Sequence, residues 1–296
     1  MANLKWIYYF ALLFFLSNCT PKKNALQLQF AQIAEDSKGK LGVSALHIES
    51  SESISFNGNQ QFPMQSVYKF PIGMMMLRQV DNGNFTLEDT IKIDPSEYIP
   101  KAGHSPIREK FPKGAKLTIR EILEYNVSQS DGTACDVLLR LLGGTRQVQD
   151  SIHALGITQI AIATTEMVQV ANDTIQYQNW STPEAMSDLF SFFYTSDYLS
   201  ESSKRLLLDF MLISNQWFDK RIKGLLPPGT VVAHKTGTAR SYDGLTRATN
   251  DAGIITLPDG NHIAISVFVS DSYDTQEKRE NIIASAAKAA YNYWTE

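Results

Sequence analysis

A serine and a lysine three positions apart are the first candidates for covalent chemistry in this sequence. Ser66 and Lys69 belong to the segment PMQSVYKFPIG, which is predicted to open a buried helix over residues 63–80. At this spacing the two side chains lie one turn apart on the same helix face. The positive end of the helix dipole favours a developing oxyanion and disfavours a charged lysine. A desolvated lysine with a lowered pKa can then accept the serine proton and activate a weak nucleophile.

The same spacing recurs at Ser285 and Lys288 in the predicted closing helix, where both side chains are expected on the protein surface. The spacing alone therefore does not identify a catalytic pair. The tripeptide SDG at residues 130–132 lies between two helical stretches. Its serine could relay a proton to a leaving nitrogen, or it could serve as a turn or helix cap. The segment KTGT at residues 235–238 follows a predicted strand. Its lysine can hold a carboxylate, and its glycine lets the backbone approach a ligand.

Strand patterns occur near both ends of the chain, and helical patterns fill the middle. The predicted strands cover residues 42–49, 54–56, 230–234, 251–257 and 262–270. The predicted helices cover residues 25–37, 63–80, 118–127, 133–142, 145–155, 182–194, 201–213 and 277–293. Grouped strands and grouped helices favour an α+β fold with an antiparallel sheet.

Local signals support some of these boundaries. Thr118 followed by Glu121 is a capping box, and Thr182 before Pro183 is typical of a helix start. Residues 84–117 are predicted to be loop-rich. Residues 158–181 read as a long polar surface loop, a length that is more often functional than not.

Composition excludes several classes of protein. The chain has 296 residues, 43% of them hydrophobic, and a formal net charge of −4, which suggests about two compact units and argues against disorder. A mildly acidic chain without a long basic run is a poor candidate for binding nucleic acid. Two cysteines, Cys19 and Cys135, cannot form a disulfide-rich scaffold, and the five histidines show no zinc-ligand spacing.

The first 18 residues are predicted to be an export signal. One charge, Lys5, precedes an apolar run over residues 6–16 that is too short to span a bilayer. The sequence LSNC resembles a bacterial lipoprotein box in which Cys19 is lipidated, although Asn18 replaces the usual small residue; the alternative is ordinary cleavage. Both alternatives place the protein outside the cytoplasm, in the periplasm. Cys135 then lacks a partner, which predicts a buried thiol and no intrachain disulfide.

Taken together and in this order, the three motifs are those of class A β-lactamases and penicillin-binding proteins. The segment PMQSVYKFPIG resembles the nucleophile helix of a class A serine β-lactamase, and VAHKTGT at residues 232–238 resembles its binding strand. Glu166, with Asn179 and the sequence WSTP further on, is similar to that family's Ω-loop. The likeness covers nearly all of the chain after the leader, and within the family it resembles the PER and VEB extended-spectrum subgroup.

This resemblance implies the α/β sandwich of serine β-lactamases and transpeptidases. An antiparallel five-stranded sheet flanked by helices is expected from residues 24–62 and 214–296. An inserted helical domain is expected over residues 63–213, with an Ω-like loop near residues 161–181. The implied activity is hydrolysis of the β-lactam amide of penicillins and cephalosporins by a monomer, with no metal or organic cofactor and no nucleic-acid partner.

The family also implies a role for individual residues. Ser66 is the nucleophile, Lys69 and Glu166 share the general-base work, Glu166 activates the hydrolytic water, and Ser130 protonates the lactam nitrogen. The backbone N–H groups of Ser66 and Thr238 form the oxyanion hole. The residues assigned to substrate binding are Gly132, Arg221, Lys235, Thr236, Gly237 and Thr238. For Arg221 the alternative is a solvated helix charge.

Three departures from the family bear on substrate range. Gly132 replaces an asparagine, and Val170 replaces a residue that is often polar and helps to position water. Thr164 and Asn179 replace the Arg–Asp pair that clamps the loop neck; losing both partners together suggests an alternative loop conformation. These changes predict a roomier site suited to cephalosporins.

Two other functions share part of this pattern. A DD-peptidase or penicillin-binding protein would use Ser66, Lys69 and the KTG segment but has no need of Glu166, which favours the hydrolase. A β-lactam sensor or cell-wall-binding module would usually need a membrane-spanning segment, and the sequence offers only the short leader.

Overall fold

A computed structural model describes residues 22–213 and 219–296. The predicted leader, residues 1–18, and Cys19 lie outside the described residues. Within the described ranges, no helix is long and apolar enough to cross a lipid bilayer. Cys135 is buried and its thiol is free, which confirms the prediction of a buried cysteine.

The described residues form strands and α-helices of two to twenty residues. The strands are β1 (Lys40–His47), β2 (Glu52–Phe56), β3 (Phe62–Pro63), β4 (Thr90–Ile93), β5 (Ala115–Thr118), β6 (Ile160–Ala161), β7 (Trp180–Ser181), β8 (Val232–Thr238), β9 (Ser241–Tyr242), β10 (Leu245–Thr256) and β11 (His262–Ser272). The helices are α1 (Lys22–Glu35), α2 (Lys69–Asp81), α3 (Pro106–Lys110), α4 (Ile119–Val127), α5 (Gly132–Leu141), α6 (Thr145–His153), α7 (Glu166–Ala171), α8 (Pro183–Thr195), α9 (Glu201–Ile213) and α10 (Gln276–Thr295).

The central sheet joins the two ends of the chain. Its strand order is β2-β1-β11-β10-β8, every neighbouring pair is antiparallel, and β9 pairs with β10 at the side. This confirms the predicted α+β class with an antiparallel sheet. The five predicted strands form the continuous path. Strand β9 was not predicted, because two residues are too few to show an alternating pattern.

The sheet is covered on both faces. Along β11, Ile265 and Val267 belong to the apolar cluster built with α1 and α10, whereas Ala264 and Phe268 belong to the cluster of the helical unit. A strand buried on both faces reads as a continuous apolar run, as β11 does. The sheet therefore forms the wall against which the inserted helices are positioned. The predicted domain limits at residues 24–62, 63–213 and 214–296 stay a prediction.

The predicted helix over residues 63–80 is wrong at its start. The chain first forms β3, then a 3₁₀ turn over Gln65–Tyr68, and α2 begins at Lys69. Gln65 has a φ of +47°, which an α-helix cannot contain. Pro71 lies in the first turn of α2, where its missing N–H would lack a helical partner in any case.

The two predicted loops contain short regular elements. Residues 84–117 include β4, α3 and most of β5, and residues 158–181 include β6, α7 and β7. Elements of two to six residues are too short to give a periodic sequence signal. The predicted helix starts are confirmed. Thr118 and Glu121 form a capping box, and Thr182 caps α8 with Pro183 at the first position.

Candidate active site

Most of the predicted chemical groups meet in one cleft of about 590 Å³ between the edge strand β8 and the helical unit. The predicted residues that line it are Ser66, Lys69, Ser130, Glu166, Thr236 and Thr238. They come from the start of α2, the connection between α4 and α5, α7, and β8. The cleft therefore forms only when the helical unit packs against the sheet.

The hydroxyl of Ser66 is presented by the 3₁₀ turn that precedes α2. Lys69 Nζ donates a hydrogen bond to Ser66 Oγ at 2.8 Å. Residues three apart in a 3₁₀ turn eclipse one another, which explains why the two side chains meet. The preceding residue, Gln65, has the left-handed φ noted above, and such strained residues cluster at active sites.

Lys69 is buried, with its side chain 1% exposed, and it forms a short hydrogen bond to Glu166 Oε1. Burial alone lowers the pKa of a lysine, but the adjacent Glu166 carboxylate and further acidic neighbours outweigh burial and raise the pKa of Lys69. The predicted lowering of this pKa is therefore wrong for the free protein. The Ser-x-x-Lys spacing did not reveal that a carboxylate contacts the amine.

The backbone of Glu166 is held by Asp136 on α5. Asp136 Oδ1 accepts a hydrogen bond from Glu166 N at 2.7 Å, and Oδ2 accepts one from Met167 N at 2.8 Å. These are the first two N–H groups of α7, which lack helical partners and favour a negative charge. Burial nevertheless raises the pKa of Asp136 to about 7. Asp136 was not predicted as a site residue, since an acidic residue one turn into a helix has no distinguishing sequence signal.

The side chain of Glu166 has a second unpredicted neighbour in Tyr68. The Tyr68 hydroxyl donates to Glu166 Oε1 at 3.0 Å, and it accepts a hydrogen bond from Gln169 Nε2 at 3.2 Å. Tyr68 appeared only as the third residue of SVYK, and Gln169 only as part of a polar loop. The sequence pattern identified Glu166 as a candidate base but did not show which side chains contact it.

The neck of the loop that carries Glu166 is closed by Asn179. Its Oδ1 accepts hydrogen bonds from Ala163 N at 2.8 Å and Thr164 N at 2.9 Å, and its Nδ2 donates to Thr164 O at 2.8 Å. Thr164 contributes only backbone atoms to these bonds. A neutral amide thus takes the place of the ion pair that the family resemblance would supply.

Ser130 faces the cleft from the opposite side. Its φ is +55°, a second strained residue at the site, and its Oγ accepts a hydrogen bond from Lys235 Nζ at 2.9 Å. Burial, reinforced by the nearby charge of Lys69, lowers the pKa of Lys235 to about 7. Lys235 thus touches the proposed proton donor and lies beside the groups that would hold a substrate carboxylate.

The glycine of KTGT lets β8 approach the nucleophile. A Cβ on Gly237 would lie 2.4 Å from Met64 O and 3.1 Å from Ser66 N, so only glycine fits. The close approach brings the following residue, Thr238, beside the start of the nucleophile turn.

Arg221 supports β8 from behind. It is fully buried and donates to Thr238 Oγ1 at 2.7 Å, to Asn250 O at 2.8 Å and to Gly237 O at 3.3 Å. Burial lowers its pKa despite the nearby carboxylates, of which Glu280 lies 3.7 Å away. The alternative interpretation of Arg221 as a solvated helix charge is wrong, because the guanidinium is enclosed by strands.

Gly132 begins α5 next to the base. A Cβ at this position would lie 2.5 Å from Ile99 Cδ1 and 3.3 Å from Glu166 Oε2. The space that a side chain at position 132 would need is therefore taken by Ile99. Any contact between Gly132 and substrate has to come from its backbone.

The structure brings two serine hydroxyls, a glutamate carboxylate and two buried lysine amines together at one cleft. The described ranges contain no group of three or more His, Cys, Asp or Glu side chains placed to bind a metal ion. Such an arrangement supports acyl transfer through a serine ester.

Comparison with known proteins identifies relatives that cover nearly the whole chain. Residues 25–294 match the beta-lactamase enzyme family. The chain is 41% identical to the beta-lactamase VEB-1 of Pseudomonas aeruginosa over 91% of its own length and 90% of that protein. It is 37% identical to the extended-spectrum beta-lactamase PER-1 of the same organism, over 90% of this chain and 87% of that protein.

Solved structures give the same result. A beta-lactamase from Chitinophaga pinensis DSM 2588 superposes with a TM-score of 0.88 at 43% identity, covering 91% of this chain and 99% of that one. The TLA-1 extended-spectrum beta-lactamase superposes with a TM-score of 0.90 at 41% identity, covering 93% of this chain and 100% of that one.

Proposed function

The chain belongs to the class A β-lactamases and hydrolyses the β-lactam amide of antibiotics, and we propose that it does so through an ester on Ser66. The observation that carries this mechanism is the position of Lys69 Nζ, which contacts both Ser66 Oγ and Glu166 Oε1. A single ammonium thereby connects the nucleophile to the base. Resistance to β-lactams follows from the hydrolysis.

Acylation begins with attack of Ser66 Oγ on the lactam carbonyl carbon. Lys69 passes a proton to Glu166 and takes the serine proton, so that the net acceptor is the carboxylate. The backbone N–H groups of Ser66 and Thr238 stabilise the oxyanion. As the ring C–N bond breaks, Ser130 Oγ gives its proton to the nitrogen while Lys235 stabilises the developing charge on that oxygen. The proton that Glu166 took up returns through Lys69 to Ser130, which restores both the Ser130 hydroxyl and the Glu166 carboxylate before deacylation.

Deacylation needs a water and a base. Glu166 takes a proton from the water, whose oxygen attacks the ester carbonyl, and Ser66 leaves with a proton returned through Lys69. Lys235, Thr236 and Thr238 hold the substrate carboxylate during both steps, and Arg221 keeps the Thr238 hydroxyl oriented.

The test is hydrolysis of a chromogenic cephalosporin by the purified protein and two variants. We expect turnover in the wild type, a burst that stalls as an acyl-enzyme in Glu166→Ala, and no reaction in Ser66→Ala. Ser285→Ala is the matched control, since Ser285 and the exposed Lys288 have the same spacing on α10. Acylation without turnover in the wild type, with release of D-alanine from a peptide, would point to a DD-peptidase instead.

We further propose that the site favours cephalosporins with bulky side chains. The Asn179 closure of the loop neck and the apolar Val170, which lines the cleft, support this proposal. Efficient cleavage of benzylpenicillin with no cleavage of bulky cephalosporins would contradict it.

Outside the described residues, we propose that residues 1–18 direct export to the periplasm and that the enzyme acts there as a monomer. Cys19 is the candidate for lipid attachment. Intact-mass measurement of the mature protein from cells distinguishes the outcomes, because Cys19→Ala abolishes a lipid adduct if there is one. A mature mass with free Cys19, or without residue 19, would establish ordinary cleavage.

A further inference from the structure

Tyr68 is a buried tyrosine whose hydroxyl lies against the general base. The side chain is fully buried between the nucleophile turn and α5. A phenylalanine would fill the same volume without needing a partner for a hydroxyl, whereas a buried tyrosine hydroxyl has to be satisfied. Two hydrogen bonds of this hydroxyl go to the loop that carries the base, one to Glu166 Oε1 and one from Gln169 Nε2. The Cys135 thiol on α5 is a further hydrogen-bonding neighbour of the same hydroxyl.

The direction of these hydrogen bonds follows from chemistry. Burial raises the pKa of the Tyr68 phenol well above its ordinary value, so the phenol keeps its proton. Its single proton goes to the carboxylate, and its lone pair receives the amide N–H of Gln169, which only the nitrogen of that side chain can supply. The three groups form a directed chain that ends on one oxygen of Glu166.

We propose that Tyr68 and Gln169 are positioning residues that hold Glu166 in the orientation needed to hydrolyse the acyl-enzyme. The inference rests on the proposed function, in which Glu166 activates the hydrolytic water. Lys69 and Tyr68 both bond to Oε1, whereas Oε2 accepts no hydrogen bond from the residues that the structure describes. Oε2 is thereby the oxygen left to take the proton of water.

Two features of this chain make such support necessary. Val170 has no polar group to orient the water, so the orientation of the base must come from its other neighbours. During the reaction the proton of Lys69 moves, so that lysine cannot be a constant donor to Glu166. Tyr68 does not exchange its proton in the mechanism and stays a donor throughout.

The test separates acylation from deacylation in Tyr68→Phe. We expect the acylation rate to remain within about threefold of wild type, while the deacylation rate falls roughly 10- to 100-fold, the loss expected for one hydrogen bond to a charged group. An acyl-enzyme should then accumulate, visible by intact mass as the antibiotic adduct on the protein. Slower deacylation should lower KM together with kcat. A general loss of folded protein would not lower KM in this way.

Gln169→Met supplies the second arm. This variant keeps the side-chain length and removes the hydrogen bond from Gln169 Nε2 to the Tyr68 hydroxyl. The Tyr68 hydroxyl is then held less firmly against Glu166, so deacylation should slow by about two- to fivefold. In the Tyr68→Phe background the same change should add nothing, because both residues act through one path. Tyr194→Phe is the matched control: its hydroxyl bonds to His262 Nε2 at 2.8 Å, far from the cleft in the fold, and its kinetics should equal those of the wild type.

Three results would overturn the proposal: unchanged or faster deacylation in Tyr68→Phe, an equal loss of acylation and deacylation, or additive effects of the two variants. Failure of the proposed function looks different. The wild type would then show no turnover, and Glu166→Ala would show no stalled adduct, whatever the behaviour of Tyr68→Phe.

Discussion

The two walls of the cleft each contribute a buried lysine, and the two lysines differ in charge behaviour. Lys69 on the helical wall and Lys235 on the sheet wall are both 1% exposed. Burial lowers the pKa of both amines. For Lys69 the contact with Glu166 reverses this effect, whereas for Lys235 the pKa falls to about 7, because its closest contact is the neutral Ser130 and the charge of Lys69 opposes it.

This difference shows that equal burial does not set the protonation state; the contacting charge does. The helical wall carries its own counter-charge and holds a complete proton-transfer pair before substrate arrives. On the sheet wall, no carboxylate of the described residues contacts the Lys235 amine directly. In the proposed function the carboxylate of a β-lactam supplies that charge, so binding and cation formation would support each other on this wall.

The largest effect is expected from Glu166→Gln, which removes the counter-charge of the helical wall. Deacylation should fall by about 10²- to 10⁴-fold, the usual contribution of a general base. Without the carboxylate, the pKa of Lys69 should fall toward that of Lys235, and the amine itself has to accept the serine proton. The acid limb of the acylation rate then follows the Lys69 amine instead of the carboxylate and moves to higher pH. Burst kinetics and intact mass at several pH values measure both effects. Glu201→Gln, an exposed partner of Lys204, is the control and should behave as wild type. An acylation profile that does not move would break the comparison.

The sheet wall is tested next, through Lys235. The ammonium is present below pH 7 and is lost above it, so kcat/KM for an anionic cephalosporin should fall as the pH rises through about 7. Lys235→Arg keeps its charge and should move this limb to higher pH. Lys235→Ala should lower kcat/KM by about 30-fold or more, mostly through KM, as expected for truncating a buried charge partner. A kcat/KM that stays flat from pH 6 to 9 in the wild type would contradict the prediction.

Asp136→Asn probes how the helical wall holds its base. An amide can accept only one of the two backbone N–H bonds, and its NH₂ group would face the other donor, so we expect about a tenfold slower deacylation. Asp150→Asn, an exposed partner of Arg146, serves as the control.

The same variant tests a pH effect on stability. Because the folded pKa of Asp136, about 7, lies above the ordinary aspartate value of 3.8, the folded state binds more protons than the unfolded chain between those values. The free energy of unfolding should therefore fall as the pH rises from about 4 to 7, by at most about 1.4 kcal/mol per pH unit from this group. Denaturant titrations should show a flatter pH dependence in Asp136→Asn than in wild type. Identical slopes would contradict the assignment.

The smallest effect concerns the link between the two walls. Arg247 on β10 forms an ion pair with Asp173, a loop residue that lines the cleft, and both side chains are about a quarter exposed. Arg247→Met should change KM for bulky cephalosporins by about two- to fivefold, in line with the modest energy of a partly exposed pair. Hydrolysis of a small penicillin should not change. An equal effect on both substrates would show that the link supports the whole fold.

Much of the fold could be predicted from sequence because its long elements carry periodic patterns. Helix α9 covers the predicted residues 201–213, and the caps at Thr118 and Thr182 mark true helix starts. The short elements could not be found this way. The turn before α2 depends on the left-handed backbone at Gln65, which the pattern of side chains does not encode.

Residue types and their order along the chain identify the reactive groups: a serine, two lysines, a glutamate and a glycine-bearing strand, in an order typical of one family. Residue types and their spacing carry that information because the reaction requires those groups. How each group behaves depends on contacts that form when the chain folds. The contact of Glu166 with Lys69 reverses a pKa shift, and Asp136 and Tyr68 support the base from distant parts of the chain. These effects depend on distances of about 3 Å between residues far apart in sequence, and such distances are fixed only when the helical unit packs on the sheet.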